Sequence, residues 1–157
     1  MSLPKHEGEI SAVLRPDSEV ESIELTDTQG RFIATSSLTA GRFGLYRWNM
    51  GAKAGGAAAH FHKTFSESFY VLSGTVTFGD GDRWVDATEG DFLYVPERGI
   101  HAFRNDSGSA ASMLILFAPG PPRENYFKEL AEIIKTGRQL SAEEWEAFYA
   151  EHDQYMA

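Results

Sequence analysis

Short runs of alternating or β-branched and aromatic residues dominate positions 20 to about 118. Val76 and Phe78 alternate with Thr75 and Thr77, the period of a strand with one buried face. The turn signals Gly30, Gly41, Gly55-Gly56, Ser73-Gly74, Asp80-Gly81 and Asp106-Ser107-Gly108 separate the runs. That spacing predicts an all-β sandwich or barrel. The clearest hairpin is Thr75 to Val85, turning at Asp80-Gly81, where glycine takes a positive φ without a Cβ clash. Phe92 to Val95 is apolar on both faces and stops at Pro96. Residues 1–19 are mostly polar and read as an arm, with one short strand expected at 9–14.

The period changes after Pro119-Gly-Pro-Pro122. Tyr126, Phe127, Leu130, Ile133 and Ile134 form one helical stripe, and Gly137 ends it. Ser141-Ala-Glu-Glu144 has the form of a capping box and opens a second helix through Trp145, Phe148 and Tyr149. These helices show no obvious chemistry in the sequence and are expected to cap the β-region or to join a subunit contact. The expected organisation is therefore an arm over 1–19, a β-barrel over 20–118 and a helical extension over 119–157.

Composition narrows the partners. Of 157 residues, 14 are Lys or Arg and 23 Asp or Glu, giving a formal net charge of −9. An acidic surface without a basic cluster repels phosphate backbones, which argues against nucleic acid and anionic membranes. No apolar run approaches the length of about 20 residues that spans a bilayer, and the first residues lack a signal-peptide pattern. There are no cysteines, so any metal must bind through histidine and carboxylate. This suits a reducing cytoplasm, the expected location.

The candidate chemistry lies in two stretches. His60 and His62, at i and i+2 on a strand, share a face, so two imidazoles can reach one ion without bending the backbone. A turn between His62 and Glu67 would set the carboxylate beside them on the next strand, with Phe69 and Val71 on the same inward face. The second stretch runs Gly90 to Pro96, then Gly99 and His101, with Phe103 and Asn105 at the parity of His101. Asn105 reads as a turn or rim residue. His6 and His152 stand apart from the cluster.

These stretches resemble the two motifs of the cupin superfamily, G-x5-H-x-H-x3–4-E-x6-G and G-x5-P-x-G-x2-H-x3-N. His60, His62, Glu67 and Gly74 match the first; Gly90, Pro96, His101 and Asn105 match the second. The chain departs twice: Ala54 stands at the first glycine, with Gly55 and Gly56 just after it, and the glycine after Pro96 falls one place late, at Gly99. The resemblance, which extends to small single-domain cupins of the quercetin dioxygenase type, implies an all-β jelly-roll barrel. It implies one divalent transition ion (Fe, Mn, Ni, Co, Cu or Zn) on His60, His62, Glu67 and His101. Such donors suit these metals, and four protein ligands leave coordination positions open for a ligand. By resemblance the favoured activity is an oxygenase acting on a small chelating enol, diketone, flavonol or catechol, with Glu67 also taking the substrate hydroxyl proton. The alternatives are a metal-dependent isomerase, epimerase or lyase, and a non-catalytic module that binds a small molecule. One barrel hosts many chemistries, so fold does not choose among them. A homodimer is expected, because exposed sheet edges need covering and small cupins commonly pair.

Overall fold

The computed structural model describes residues 11–157. Residues 1–10, which include His6 and the start of the strand expected at 9–14, lie outside the described residues. Residues 11–14 carry no regular structure, so that strand is not found there; the first element is a short 3-10 turn at Asp17–Glu19. Among the described residues eleven strands follow: β1 (Glu21–Leu25), β2 (Thr28–Ala34), β3 (Gly44–Met50), β4 (His60–Phe61), β5 (Ser66–Ser73), β6 (Thr75–Gly79), β7 (Trp84–Thr88), β8 (Phe92–Val95), β9 (Ala102–Arg104), β10 (Ala111–Ala118) and β11 (Tyr155–Met156). Three helices interrupt or close them: α1 (Ser36–Thr39), α2 (Arg123–Thr136) and α3 (Ala142–Glu151).

The fold is predominantly β and every strand pair is antiparallel. The strands form a six-stranded sheet ordered β1-β2-β3-β10-β5-β8, a three-stranded sheet β7-β6-β9 and a two-stranded pair β11-β4. The hairpin expected at Asp80-Gly81 is present: Gly79 faces Trp84, and Gly81 has a φ of 99°. Strand alternation builds the core. In β2 and β3 every second residue is buried, which places Phe32, Tyr46, Trp48 and Met50 inside. β5 and β10 add Phe69, Val71, Met113, Ile115 and Phe117, each essentially inaccessible. Each such side chain contributes roughly 1.5–3 kcal/mol by leaving water.

Both expected helices form where the sequence places them. Gly137 closes α2 in the left-handed conformation, with a φ of 66°. Ser141 and Glu144 complete the capping box of α3: the serine side chain accepts from the Glu144 N–H, and the Glu144 carboxylate accepts from the Ser141 N–H. α2 contributes Tyr126 and Phe127 to the core, where Phe127 packs 4.7 Å from Trp48 between ring centroids. The short strand β11 was not expected. It returns the end of the chain to β4, pairing Tyr155 with Phe61 and Met156 with His60. Among the described residues no helix is long and apolar enough to cross a membrane.

Candidate metal centre

Strand pairing brings the two sequence stretches together. His60 sits on β4 and forms an isolated antiparallel bridge with His101, each backbone N–H donating to the other's carbonyl at 3.0 Å. His62 follows two residues on, sharing the face of His60. A turn through Lys63–Phe65 leads into β5, where Glu67, Phe69 and Val71 alternate inward, all buried.

The departures from the family pattern have local reasons. A Cβ on Gly56 would lie 2.0 Å from the Phe103 carbonyl oxygen, so the backbone approach needs glycine at 56, while Ala54 is buried with its methyl in the core. In the second motif Arg98 occupies the family's glycine position. Its φ is 67°, the left-handed conformation glycine adopts freely, and its N–H donates to the His62 carbonyl at 2.6 Å.

The structure brings together all four expected ligands, His60, His62, Glu67 and His101. Each is buried, and one donor atom from each lies within 4.8 Å of every other. Each histidine is fixed from behind. His60 Nδ1 is 2.7 Å from the Ala58 carbonyl, His62 Nδ1 is 2.7 Å from the Asp153 carbonyl and His101 Nδ1 is 3.0 Å from the Gly99 carbonyl. A carbonyl only accepts, so each Nδ1 keeps its proton, and each ring when neutral offers an Nε2 lone pair. His62 and His101 direct Nε2 at the same Glu67 Oε2, at 3.0 and 2.6 Å. Two lone-pair donors converging on a carboxylate oxygen require a cation between them, either protons or a metal ion. The donor set thus fits a divalent transition ion: three imidazoles and one carboxylate, with no thiolate.

The electrostatics agree. Burial pushes the His60 imidazole down to about 4, and the neighbouring His101 charge adds to this. Burial works against the charge of Glu67, yet His101 and His62 outweigh it and hold the carboxyl well below its usual range. Burial likewise opposes protonation of His101, but the Glu67 charge and hydrogen bond raise it.

A cavity of about 450 Å³ opens onto the cluster, and His60 and Glu67 form part of its wall. The rest is mostly apolar, including Trp48, Phe103, Ile115, Tyr126 and Phe127. The C-terminal helices pack on the β-region as expected, and α2, α3 and the tail after them also line this cavity through Arg123, Leu130, Tyr149, Gln154 and Met156. The tail also holds His62, through the Asp153 carbonyl. The Asp153 carboxylate accepts from the Lys63 and Thr64 N–H groups, each at 2.9 Å, and from the Thr64 hydroxyl. Of the aromatic residues near the motifs, Phe103 lines the cavity and Phe69 and Phe78 belong to the core, whereas Phe92 and Tyr94 are exposed. Asn105 is structural. Its amide donates to the Gly51 and Ser109 carbonyls at 2.8 Å and organises the turn after β9. His152 lies apart from the cluster and pairs with Glu129 at 2.7 Å.

One signal for Arg123 exists in the sequence. It opens a helix directly after Pro122, where the macrodipole disfavours a cation. Nothing local marks Asp153, whose role depends on the return of the chain to β4.

A family profile described as a cupin domain matches residues 46–117. The chain is 29% identical over 126 residues to quercetin 2,3-dioxygenase of Bacillus subtilis, a match covering 80% of this chain and 36% of that protein. The match therefore spans about a third of the curated relative's length. Two solved structures share the fold. A polyketide cyclase from Streptomyces resistomycificus aligns with a TM-score of 0.59 at 22% identity, covering 72% of this chain and 82% of the other. A predicted oxalate decarboxylase from Thermotoga maritima aligns with a TM-score of 0.61 at 15% identity, covering 68% and 98%. The motif match and the family profile agree on a cupin domain over residues 46–117, and the two solved structures share its fold.

Proposed function

We propose that the chain is a metal-dependent oxygenase that acts on a small substrate chelating through oxygen. The observation that carries this reading is the convergence of His60, His62, Glu67 and His101 at the wall of a cavity large enough for a small organic molecule. The likeness to quercetin 2,3-dioxygenase supports the oxygenase class over other metal-dependent cupin chemistries.

In this reading His60, His62 and His101 hold the ion through Nε2, and their Nδ1–H···O=C bonds keep the rings from rotating. A transition ion so held supplies Lewis acidity toward a chelating oxygen and, where redox-active, chemistry with dioxygen. Glu67 has two roles available. It completes the donor set, and as the one carboxylate in the cluster it is the candidate acceptor of a substrate hydroxyl proton. The apolar walls exclude water, which strengthens the electrostatic interactions of a bound oxyanion. Trp48 and Phe103 offer aromatic faces to a planar substrate.

The test is an oxygen-electrode screen of protein reconstituted separately with iron, manganese, nickel, cobalt and copper, using flavonols, diketones and catechols. Metal-dependent oxygen uptake with at least one chelating enol is the expected result. Turnover without oxygen uptake would replace this reading with an isomerase or lyase, in which the ion only polarises a carbonyl. A metal-loaded protein inert toward all of them would leave a binding module.

A further inference from the structure

The wall of the cavity beside the candidate metal centre contains a buried cation in contact with no carboxylate among the described residues. Arg123 lies in its wall and is only 4% exposed. Among the described residues no ion pair involves Arg123. Its Nη1 donates to the His152 carbonyl at 2.8 Å and its Nη2 to Gln154 Oε1 at 3.0 Å. Its buried Nε–H has no partner. A guanidinium carries five N–H donors, so these contacts leave donors unused. The rings of Tyr126, Phe127, Phe65 and Phe117 stand 4.2, 5.4, 5.6 and 5.6 Å from its central carbon and offset part of the cost of burying it.

Clasping the tail does not explain the charge. Two hydrogen bonds to oxygen acceptors could be made by a neutral amide, without the cost of burying a cation. Burial pushes the guanidinium down from its usual value, although nearby Tyr126 and Glu67 offset this, and arginine remains charged in proteins. A second polar atom is also unpartnered in the same wall: Thr28 Oγ1, buried at the start of β2. The one other carboxylate lining the cavity besides Glu67 belongs to Asp27, which is exposed to solvent. With a divalent ion in place, the ion and Arg123 together outweigh the single negative charge of Glu67.

We propose that the cavity selects an anionic chelator: a planar, largely apolar acid that presents metal-binding oxygens to the His60–Glu67 side and sets its negative charge against Arg123. This rests on the metal-dependent reading above and names the substrate class it would act on. The volume, about 450 Å³, lies within the range of about 300–1,000 Å³ usual for small-molecule sites. Arg123 supplies charge to the ligand, and Thr28 supplies a hydroxyl that can donate to it or accept from it.

A matched pair of probes tests this: 3-hydroxy-2-naphthoate, an acid, and 3-hydroxy-2-naphthamide, its neutral counterpart. Each is titrated calorimetrically into the nickel-loaded full chain, and each affinity is compared with that of the probe for free nickel. After that comparison the wild type should prefer the acid by about tenfold or more, as a desolvated charge pair provides. Arg123→Met, compared at matched nickel occupancy because Arg123 also clasps the tail that holds His62, should abolish the preference, and Arg123→Lys should keep most of it. Equal corrected affinities in the wild type would overturn the proposal and leave the metal-dependent reading standing. That comparison needs no variant, so it decides even if Arg123→Met fails to fold. A preference that survives in Arg123→Met would overturn the proposal too. Nickel-loaded wild type that binds neither probe would overturn both the proposal and the reading it rests on.

Discussion

His62 donates through Nδ1 to the carbonyl of Asp153, a residue 91 positions later in the chain. The bond makes the last residues part of the candidate metal centre, because it sets the tautomer and orientation of one imidazole. The Asp153 carboxylate anchors the same turn to Lys63 and Thr64. Asp153→Ala keeps that carbonyl but removes the carboxylate that positions it, so metal affinity should weaken by up to about tenfold, the low end of the effect of disturbing an outer partner of a ligating histidine. Asp153→Asn retains an acceptor oxygen and should lose much less. Competition against a chromophoric chelator measures both. Wild-type affinity in Asp153→Ala would show that the carboxylate does not position the carbonyl that holds His62.

Arg98 holds a left-handed backbone conformation at the position where the family motif has glycine. A side chain there costs roughly 1–2 kcal/mol, partly offset by the greater chain entropy that glycine loses on folding. Arg98→Gly should therefore stabilise the metal-free protein, raising Tm by about 2–4 °C. Calorimetry at one pH and concentration checks this. A lowered Tm would mean that the arginine side chain makes a compensating contact.

Glu67 Oε2 faces the Nε2 atoms of both His62 and His101, and Glu67 is the one carboxylate in the cluster. Glu67→Gln keeps the size and one oxygen donor but loses charge and basicity. The variant should retain some metal, still bind a chelating substrate and turn over at least about 100-fold more slowly. Steady-state kinetics on a substrate found by the oxygen screen, with bound metal measured in parallel, is the check. A wild-type rate would exclude Glu67 as the base.

An aromatic face is left open at one edge of the large sheet. Phe92 and Tyr94 on β8 are 64% and 59% exposed, and Tyr70 stands opposite Phe92 on β5. β8 ends the sheet order, so among the described residues its outer edge has no partner strand there. Pairing with a second copy would cover both edge and face. Light scattering should show a homodimer at micromolar concentration, and Tyr94→Glu should shift it toward monomer. Monomer alone from the wild type would contradict this.

The metal cluster was legible in the sequence because its spacing follows from strand geometry. His60 and His62 share a face by the two-residue period, and Glu67 starts the next strand after a turn of the right length. The displaced Gly99 was legible as an anomaly but not as its cause, since a positive φ at Arg98 cannot be read from residue type. The role of the tail was not legible: β11 pairs with β4 across most of the chain, and no local pattern reports so distant a contact. Phe92 and Tyr94 were ambiguous for another reason. Where both faces of a strand are apolar, alternation does not say which one meets solvent.

The central claim is that His60, His62, Glu67 and His101 hold one divalent ion. Elemental analysis of protein purified without added metal, followed by titration of the stripped protein, tests it directly. The account predicts about one transition ion per chain at saturation, with sharply reduced affinity in His60→Ala, His62→Ala and His101→Ala variants that keep the wild-type circular dichroism spectrum. No ion in the purified protein and none taken up on titration would contradict it.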